Sequence, residues 1–256
     1  MTDLVILIAI FLLGLSVGSF LNVLIHRLPR EENIAWPGSR CARCGHPLRW
    51  YHNIPLLSWL LLRGRCAFCG EPISFRYPLI ELLNALIWVI LWLYIGEFWE
   101  FLFTAATFSA LLALSAIDFE YYAVPDSLNF FALGSALAAA VARSLSRHDW
   151  QIALDALRDA ALAAGGLWLL AWLIGKAMKR EAMGGADVIV AGTMAALLGL
   201  PGFFLALFIS ALLAILPSLA ARDTMVPFVP FLALGTWIVY LFQTPLYAAL
   251  ESYIYG

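Results

Sequence analysis

The chain has 256 residues, 63% of them apolar and only 12% charged, with 15 Lys/Arg against 17 Asp/Glu. A soluble globular domain carries about 25% charged residues, so an ordinary water-soluble enzyme is excluded. The near-neutral balance selects no partner, and no basic stripe with interleaved aromatics marks a nucleic-acid surface.

A helix needs about 20 residues to cross the hydrocarbon of a bilayer. Apolar stretches on that scale recur in chain order at Leu4–Ile25, Leu79–Ile95, Phe101–Ile117, Leu128–Val141, Ala156–Ile174, Val188–Leu200, Phe203–Leu219 and Phe228–Tyr247. They predict an all-α polytopic membrane protein of about eight transmembrane helices. Leu4–Ile25 follows Asp3 rather than a basic start and is too long for a signal-peptide core, so it reads as a retained first helix. The sequence divides into a first helix over 1–26, a polar insert over 27–78 and a multi-helix membrane domain over 79–256.

Lysine and arginine mark the cytoplasmic side of such a protein. Eight arginines lie between the first two spans: Arg27, Arg30, Arg40, Arg43, Arg49, Arg63, Arg65 and Arg76. Placing that insert inside also places Lys176, Lys179, Arg180 and Arg222 inside, and leaves only Arg143, Arg147 and Arg158 outside. Membrane lipid is an expected partner, and the basic insert can touch anionic headgroups, although topology alone accounts for its charge.

All four cysteines fall in the insert, as Cys41-Ala-Arg-Cys44 and Cys66-Ala-Phe-Cys69. Two knuckles of this kind complete a closed tetrahedral four-sulfur zinc site, which is structural because no position is left for water. Gly45 and Gly70 follow the pairs and let the backbone turn under the sulfurs. An insert of this size has little core of its own, and metal binding supplies the missing stability. Disulfides are disfavoured in a reducing cytoplasm. No thioredoxin-like pattern supports a redox pair.

Asp118 closes the third span and Asp187 opens the sixth, 69 positions later. On the predicted topology both lie at the cytoplasmic face. Acids at the ends of membrane helices are usually kept for function. Two carboxyls sharing a proton suit aspartic-protease chemistry: one, ionised, takes a proton from water, while the other, protonated, polarises the scissile carbonyl. The bland readings are a helix cap for Asp187 and a headgroup boundary for Asp118. Asp126 reads as a cap for the fourth span, and Glu120 and Glu181 as solvated loop charges. Glu81, near the start of the second span, is expected to pair with a loop arginine or to help form a site. Gly184-Gly185 suits close approach of a peptide backbone.

Several segments resemble the type IV prepilin peptidases, a family of GxGD-type membrane aspartic proteases. They are Gly18-Ser19-Phe20-Leu21-Asn22-Val23 with Arg27-Leu28-Pro29, and the cysteine pairs with Asn53-Ile54-Pro55 and Ser58-Trp59-Leu60. Arg76-Tyr77-Pro78 with Glu81, the Asp118 run ending in Pro125-Asp126, and Glu181 to Asp187 complete the match. Gly14 and Gly18, four apart, also suit plain close helix packing.

The resemblance implies cleavage of a basic leader from prepilins and pseudopilins at the cytoplasmic face of a bacterial inner membrane, with Asp118 and Asp187 as catalytic aspartates. It also implies N-methylation of the new terminus from S-adenosylmethionine, an activity associated with the cysteine insert, through a pocket whose residues the sequence does not name. It leaves oligomeric state open. The chain departs from the family's Gly-x-Gly-Asp, with a lysine two residues on: it has Gly184-Gly185-Ala186-Asp187 and Ile189. A non-catalytic scaffold displaying a zinc ribbon to pilus or secretion partners is the competing reading. A proton-coupled carrier is weaker, since such carriers keep their acids at mid-membrane.

Overall fold

A computed structural model describes residues 2–41, 43–178, 184–220 and 226–255. Lys179, Arg180, Glu181 and Arg222, which entered the readings above, lie outside the described residues. Among the described residues the regular structure is helical: α1 (Thr2–Arg27), α2 (Leu57–Leu61), α3 (Arg76–Ile95), α4 (Phe98–Tyr121), α5 (Asp126–Arg147), α6 (Gln151–Met178), α7 (Gly185–Ala220) and α8 (Val229–Tyr255). Among these described residues, strand-type pairing is confined to two isolated bridges, Arg40↔Pro47 and Arg65↔Pro72.

Six of these helices are long and apolar enough to cross a membrane, and Val229–Gln243 of α8 forms a shorter apolar helix. Each of the eight apolar segments of the sequence falls on a helix, two of them on α7. Gly199 divides α7, with φ 71° and ψ 170°, a backbone conformation that glycine adopts without strain. The carboxylate of Asp159 in α6 accepts the freed Leu200 N–H at 3.1 Å, so the second half of α7 starts with a side-chain cap. Large apolar side chains stand exposed along the helices, Leu4 at 63% and Phe208 at 60% among them. A bilayer satisfies such surfaces and water does not.

The chain divides into two compact units, Met1–Gly96 and Glu97–Gly256. The division falls after Gly96, so the second predicted span goes with the first helix rather than with the spans that follow it. The reason is local. A Cβ on Gly14 would stand 2.7 Å from Ala85 Cα, and one on Gly18 2.7 Å from Glu81 Cα, so α1 and α3 meet backbone to backbone. Amides then bind the seam, Asn84 donating to the Gly14 carbonyl at 2.8 Å and Asn22 to the Tyr77 carbonyl at 3.1 Å. Close small-residue contact reinforced by interhelical hydrogen bonds is how helices associate where water offers no hydrophobic drive.

The second unit uses the same devices. Ala132, Ala136 and Ala139 of α5 are buried, and Ser135 of α5 accepts from Thr107 of α4 at 2.9 Å. At the start of α4 the buried Glu100 pairs with Arg143 of α5 at 2.7 Å, the opposite end of α4 from Asp118.

Candidate active site and metal site

Asp118 occupies the last turn of α4 and is 8% exposed. The helix stops just beyond it, where Tyr122 turns left-handed at φ 51° and donates its N–H back to the Asp118 carbonyl at 3.0 Å. The Asp118 side chain reaches α8: Oδ2 accepts the Val229 N–H at 3.0 Å. That amide opens α8, where unpaired N–H groups and the helix dipole favour a negative charge. Asp118 is therefore fixed by two helices rather than merely marking a boundary.

Asp187 lies in the first turn of α7 and is half-buried. Its own N–H donates to the Gly184 carbonyl at 3.2 Å, and α7 starts at Gly185, so Asp187 is inside the helix and not its cap. Its Oδ2 hangs over Gly184, 3.8 Å from where a Cβ would stand, whereas a Cβ on Gly185 would meet nothing within 4 Å. Asp118 and Asp187, 69 positions apart in sequence, both belong to the second unit, in the last turn of α4 and the first turn of α7. Like charges held close do not both ionise readily, which is the condition for a pair that shares one proton.

One member of this site was not singled out in the sequence. Asn129 of α5 is fully buried, and its Nδ2 donates to the Ala186 carbonyl at 2.9 Å, immediately before Asp187. Its Oδ1 has no partner. The signal was present as an amide inside an apolar span, a residue type that membrane helices retain for interhelical hydrogen bonding. Asp126 is the first residue of α5, with Pro125 in the capping position, so its expected capping role is not the one observed. An acid there still faces the positive end of the helix. Glu120 is exposed.

The four cysteines converge within the first unit. Their sulfurs all lie within 4.8 Å of one another, with Cys41 Sγ and Cys69 Sγ 3.9 Å apart. A tetrahedral zinc–thiolate centre with bonds of about 2.3 Å has edges of about 3.8 Å, so the cluster fits a metal ion of that size. The two knuckles repeat one backbone pattern. Gly45 N–H returns to the Cys41 carbonyl and Gly70 N–H to the Cys66 carbonyl, at φ 69° and 71° respectively. The backbone amides of Cys69 and Phe68 aim at the Cys66 sulfur and bring its thiol down to about 7. The Glu71 amide favours the Cys69 thiolate too, but desolvation and the three neighbouring sulfurs outweigh it and push that thiol up to about 12. Four crowded thiols do not ionise together without a cation to hold them.

Glu81 in α3 is buried and accepts the Leu56 N–H at 2.7 Å, rather than pairing with an arginine. Leu56 itself has φ 61° and ψ −49°, a strained position for a branched side chain, with its neighbours joined by a Leu57 N–H to Pro55 carbonyl bond of 2.6 Å.

Two family models cover most of the chain: the bacterial peptidase A24 N-terminal domain over residues 12–95 and the type IV leader peptidase family over residues 105–219. Relatives agree with them. A prepilin leader peptidase/N-methyltransferase of Xanthomonas campestris is 33% identical, over 91% of this chain and 90% of its own length. One of Pseudomonas aeruginosa is 34% identical, over 90% of this chain and 88% of its own. The chain belongs to the type IV leader peptidase family. A protein of the same name from Myxococcus xanthus is 39% identical over 74% of this chain, which spans 55% of that protein's length. No solved structure matches.

The family boundary between residues 95 and 105 coincides with the division of the two units at Gly96. Within this leader peptidase fold the departure at position 186 is sterically quiet. Ala186 is helical, and it is absent from the residues with positive φ, so its Cβ introduces no backbone strain. Ile189, at the lysine position, is half-buried one turn below Thr193, whose hydroxyl donates to its carbonyl at 3.1 Å.

Proposed function

We propose that this protein is a bacterial inner-membrane prepilin peptidase that cuts the leader from type IV prepilins and pseudopilins and then N-methylates the new terminus. The observation that supports the peptidase reading is the presence of Asp118 and Asp187 in one unit, with Asp118 held by the Val229 N–H and the turn before Asp187 held by Asn129. In the reaction one ionised carboxylate removes a proton from water and the resulting hydroxide adds to the scissile carbonyl. The second carboxyl, protonated, hydrogen-bonds the carbonyl oxygen. A proton then passes to the amide nitrogen as the C–N bond breaks, and the pair is left with one proton as at the start. The open side of Gly185 leaves room for an extended peptide beside Asp187.

The excess of arginine in the insert supports a cytoplasmic location for the insert and for both aspartates. Zinc is the ion best suited to four thiolates in a closed tetrahedron, and here it shapes the insert without entering the reaction. S-adenosylmethionine supplies an electrophilic methyl group. The terminal amine, deprotonated, takes that methyl as the C–S electron pair returns to sulfur. The names of the relatives support this second activity. A scaffold without catalysis is not favoured, because the relatives are named as enzymes and a scaffold needs no acids held at the ends of α4 and α7.

The test is cleavage of a purified prepilin in liposomes by Asp118→Asn and Asp187→Asn. Each variant loses at least a thousandfold in rate, and the double variant is no slower than the worse single one, as for residues acting as a unit. Cleavage at the normal rate by either variant removes the mechanism.

A further inference from the structure

The short helix α2 turns its leucines outward. It is five residues long, far short of a span, and no charge falls between Leu56 and Leu62. Leu57, Leu60 and Leu61 are 48%, 57% and 74% exposed. At roughly 3.6 residues per turn these three share one face, with Ser58 and Trp59 on the other. That other face is packed. The Ser58 hydroxyl donates to the Tyr51 carbonyl at 2.8 Å, and the Trp59 indole N–H to the Ile73 carbonyl at 3.1 Å. Ser58 and Trp59 also line a cleft of about 1130 Å³ between the insert and the adjoining ends of α1 and α3, together with Asn22, Trp36 and Glu81. The three leucines stand outside that lining.

Two contacts fix where the leucine face sits. The Leu56 N–H that opens α2 donates to Glu81 at 2.7 Å, and Glu81 lies five positions beyond Arg76, the first residue of α3. At 1.5 Å rise per residue, α2 is pinned about 7.5 Å along α3 from its start. The Trp59 ring meets the Phe75 ring, with centroids 5.8 Å apart. Phe75 already has helical angles, φ −62° and ψ −19°. It heads a row of exposed side chains at helical spacing along α3: Leu79, Leu83, Leu86 and Ile90. On a spanning helix an exposed apolar row faces lipid.

We infer that α2 is an in-plane foot of the insert, with Leu57, Leu60 and Leu61 embedded among the acyl chains of the adjoining phospholipid leaflet. The inference rests on the membrane-spanning reading of α3 and adds a second, in-plane lipid contact. The level set by Glu81 matches the depth of about 5–10 Å at which interfacial helices bury their apolar faces. Arg63 and Arg65, both exposed, follow α2 directly and are placed to reach the lipid phosphates while the leucines point inward. The face continues the lipid-facing row of α3, and lipid occupies a surface held at that depth before a soluble protein reaches it.

The experiment is photo-crosslinking of the full-length, metal-loaded protein in phospholipid nanodiscs, with p-benzoylphenylalanine replacing Leu57, Leu60 or Leu61. Leu86 of α3 serves as the spanning reference and Arg43, on the first knuckle and 76% exposed, as the aqueous one. Adducts on acyl chains are expected from all three α2 positions, at a yield comparable to that from Leu86 and about tenfold above that from Arg43. Acyl adducts from Leu86 but none from α2 sink the foot and leave the spanning reading intact. No adduct from Leu86 sinks the spanning reading, and the inference with it. Equal acyl yields from Arg43 and α2, or adducts from α2 to protein instead of lipid, overturn the proposal as well. Hydroxyl-radical footprinting of the unsubstituted protein in nanodiscs covers the case of a variant that misfolds. Relative to the intrinsic reactivity of each side chain, the three leucines are expected to oxidise about tenfold more slowly than Phe68, which is 41% exposed. Oxidation of the leucines as fast as Phe68 overturns the proposal.

Discussion

Asn129 and Ala186 are joined by a 2.9 Å hydrogen bond from the Asn129 side-chain amide to the Ala186 carbonyl, which ties α5 to the backbone directly ahead of Asp187. The bond anchors the turn that carries Asp187, and on the peptidase reading Asn129 is a positioning residue.

Asn129→Ala is therefore expected to lower kcat for prepilin cleavage by about tenfold to a hundredfold, the scale on which small misplacements of reacting groups act. KM stays near the parent value, and the limbs of the pH–rate profile move because the coupling between the carboxyls changes. Steady-state cleavage across pH checks this. An unaltered kcat and profile would show that the Ala186 carbonyl needs no anchor.

Ala186→Gly restores the family's glycine and is expected to gain nothing. Ala186 is helical with no positive φ, so glycine there relieves no strain and weakens the first turn of α7 by about 0.5–1 kcal/mol. Cleavage assays beside melting curves decide it. A several-fold rise in activity would mean that the active conformation of this turn differs from the one described.

Purified protein is expected to contain one zinc per four-cysteine cluster, and chelation to lower the melting temperature of the first unit. Cys66→Ser loses the metal, because Cys66 is the buried sulfur of the four. Elemental analysis with calorimetry makes the measurement, and a metal-free protein with unchanged melting would rule out a structural metal.

Gly18→Ala forces a methyl group to within 2.7 Å of the Glu81 backbone. Separating α1 from α3 to admit it is expected to cost about 1–3 kcal/mol, in the range of overpacked cores. Cysteine pairs placed across the α1–α3 seam should cross-link more slowly in this variant, and equal rates would show that the helices do not touch there.

Much of this was legible in the chain because the solvent enforces it. Hydrocarbon leaves a backbone few options besides the helix, so apolar length alone locates α1 and α3 to α8. Cysteine spacing and the following glycines carry the metal knuckles, since the geometry of each knuckle is local. Asp118 in the last turn of α4 and Asp187 in the first turn of α7 follow in the same way from apolar length, since one closes a span and the other opens one. Other relationships depend on contacts between segments distant in sequence. Asn129 against Ala186 spans 57 residues, Asp118 against Val229 spans 111, and Asp159 against Leu200 spans 41. Helix periodicity reveals none of them, because a single amide or acid in an apolar helix shows that a partner exists without naming it.

The sequence by itself determined that the chain is helical and membrane-embedded, that four thiols form one metal-type cluster, and that two acids sit at helix ends. Only the tertiary structure decided that α3 belongs with α1, that Asn129 anchors the Asp187 turn, and that Glu81, Asn22 and Trp36 line one cleft. The first set follows from chain-local hydropathy and spacing. The second follows from side-chain packing at close range, where a missing Cβ at Gly14 or Gly18 decides which helices can meet.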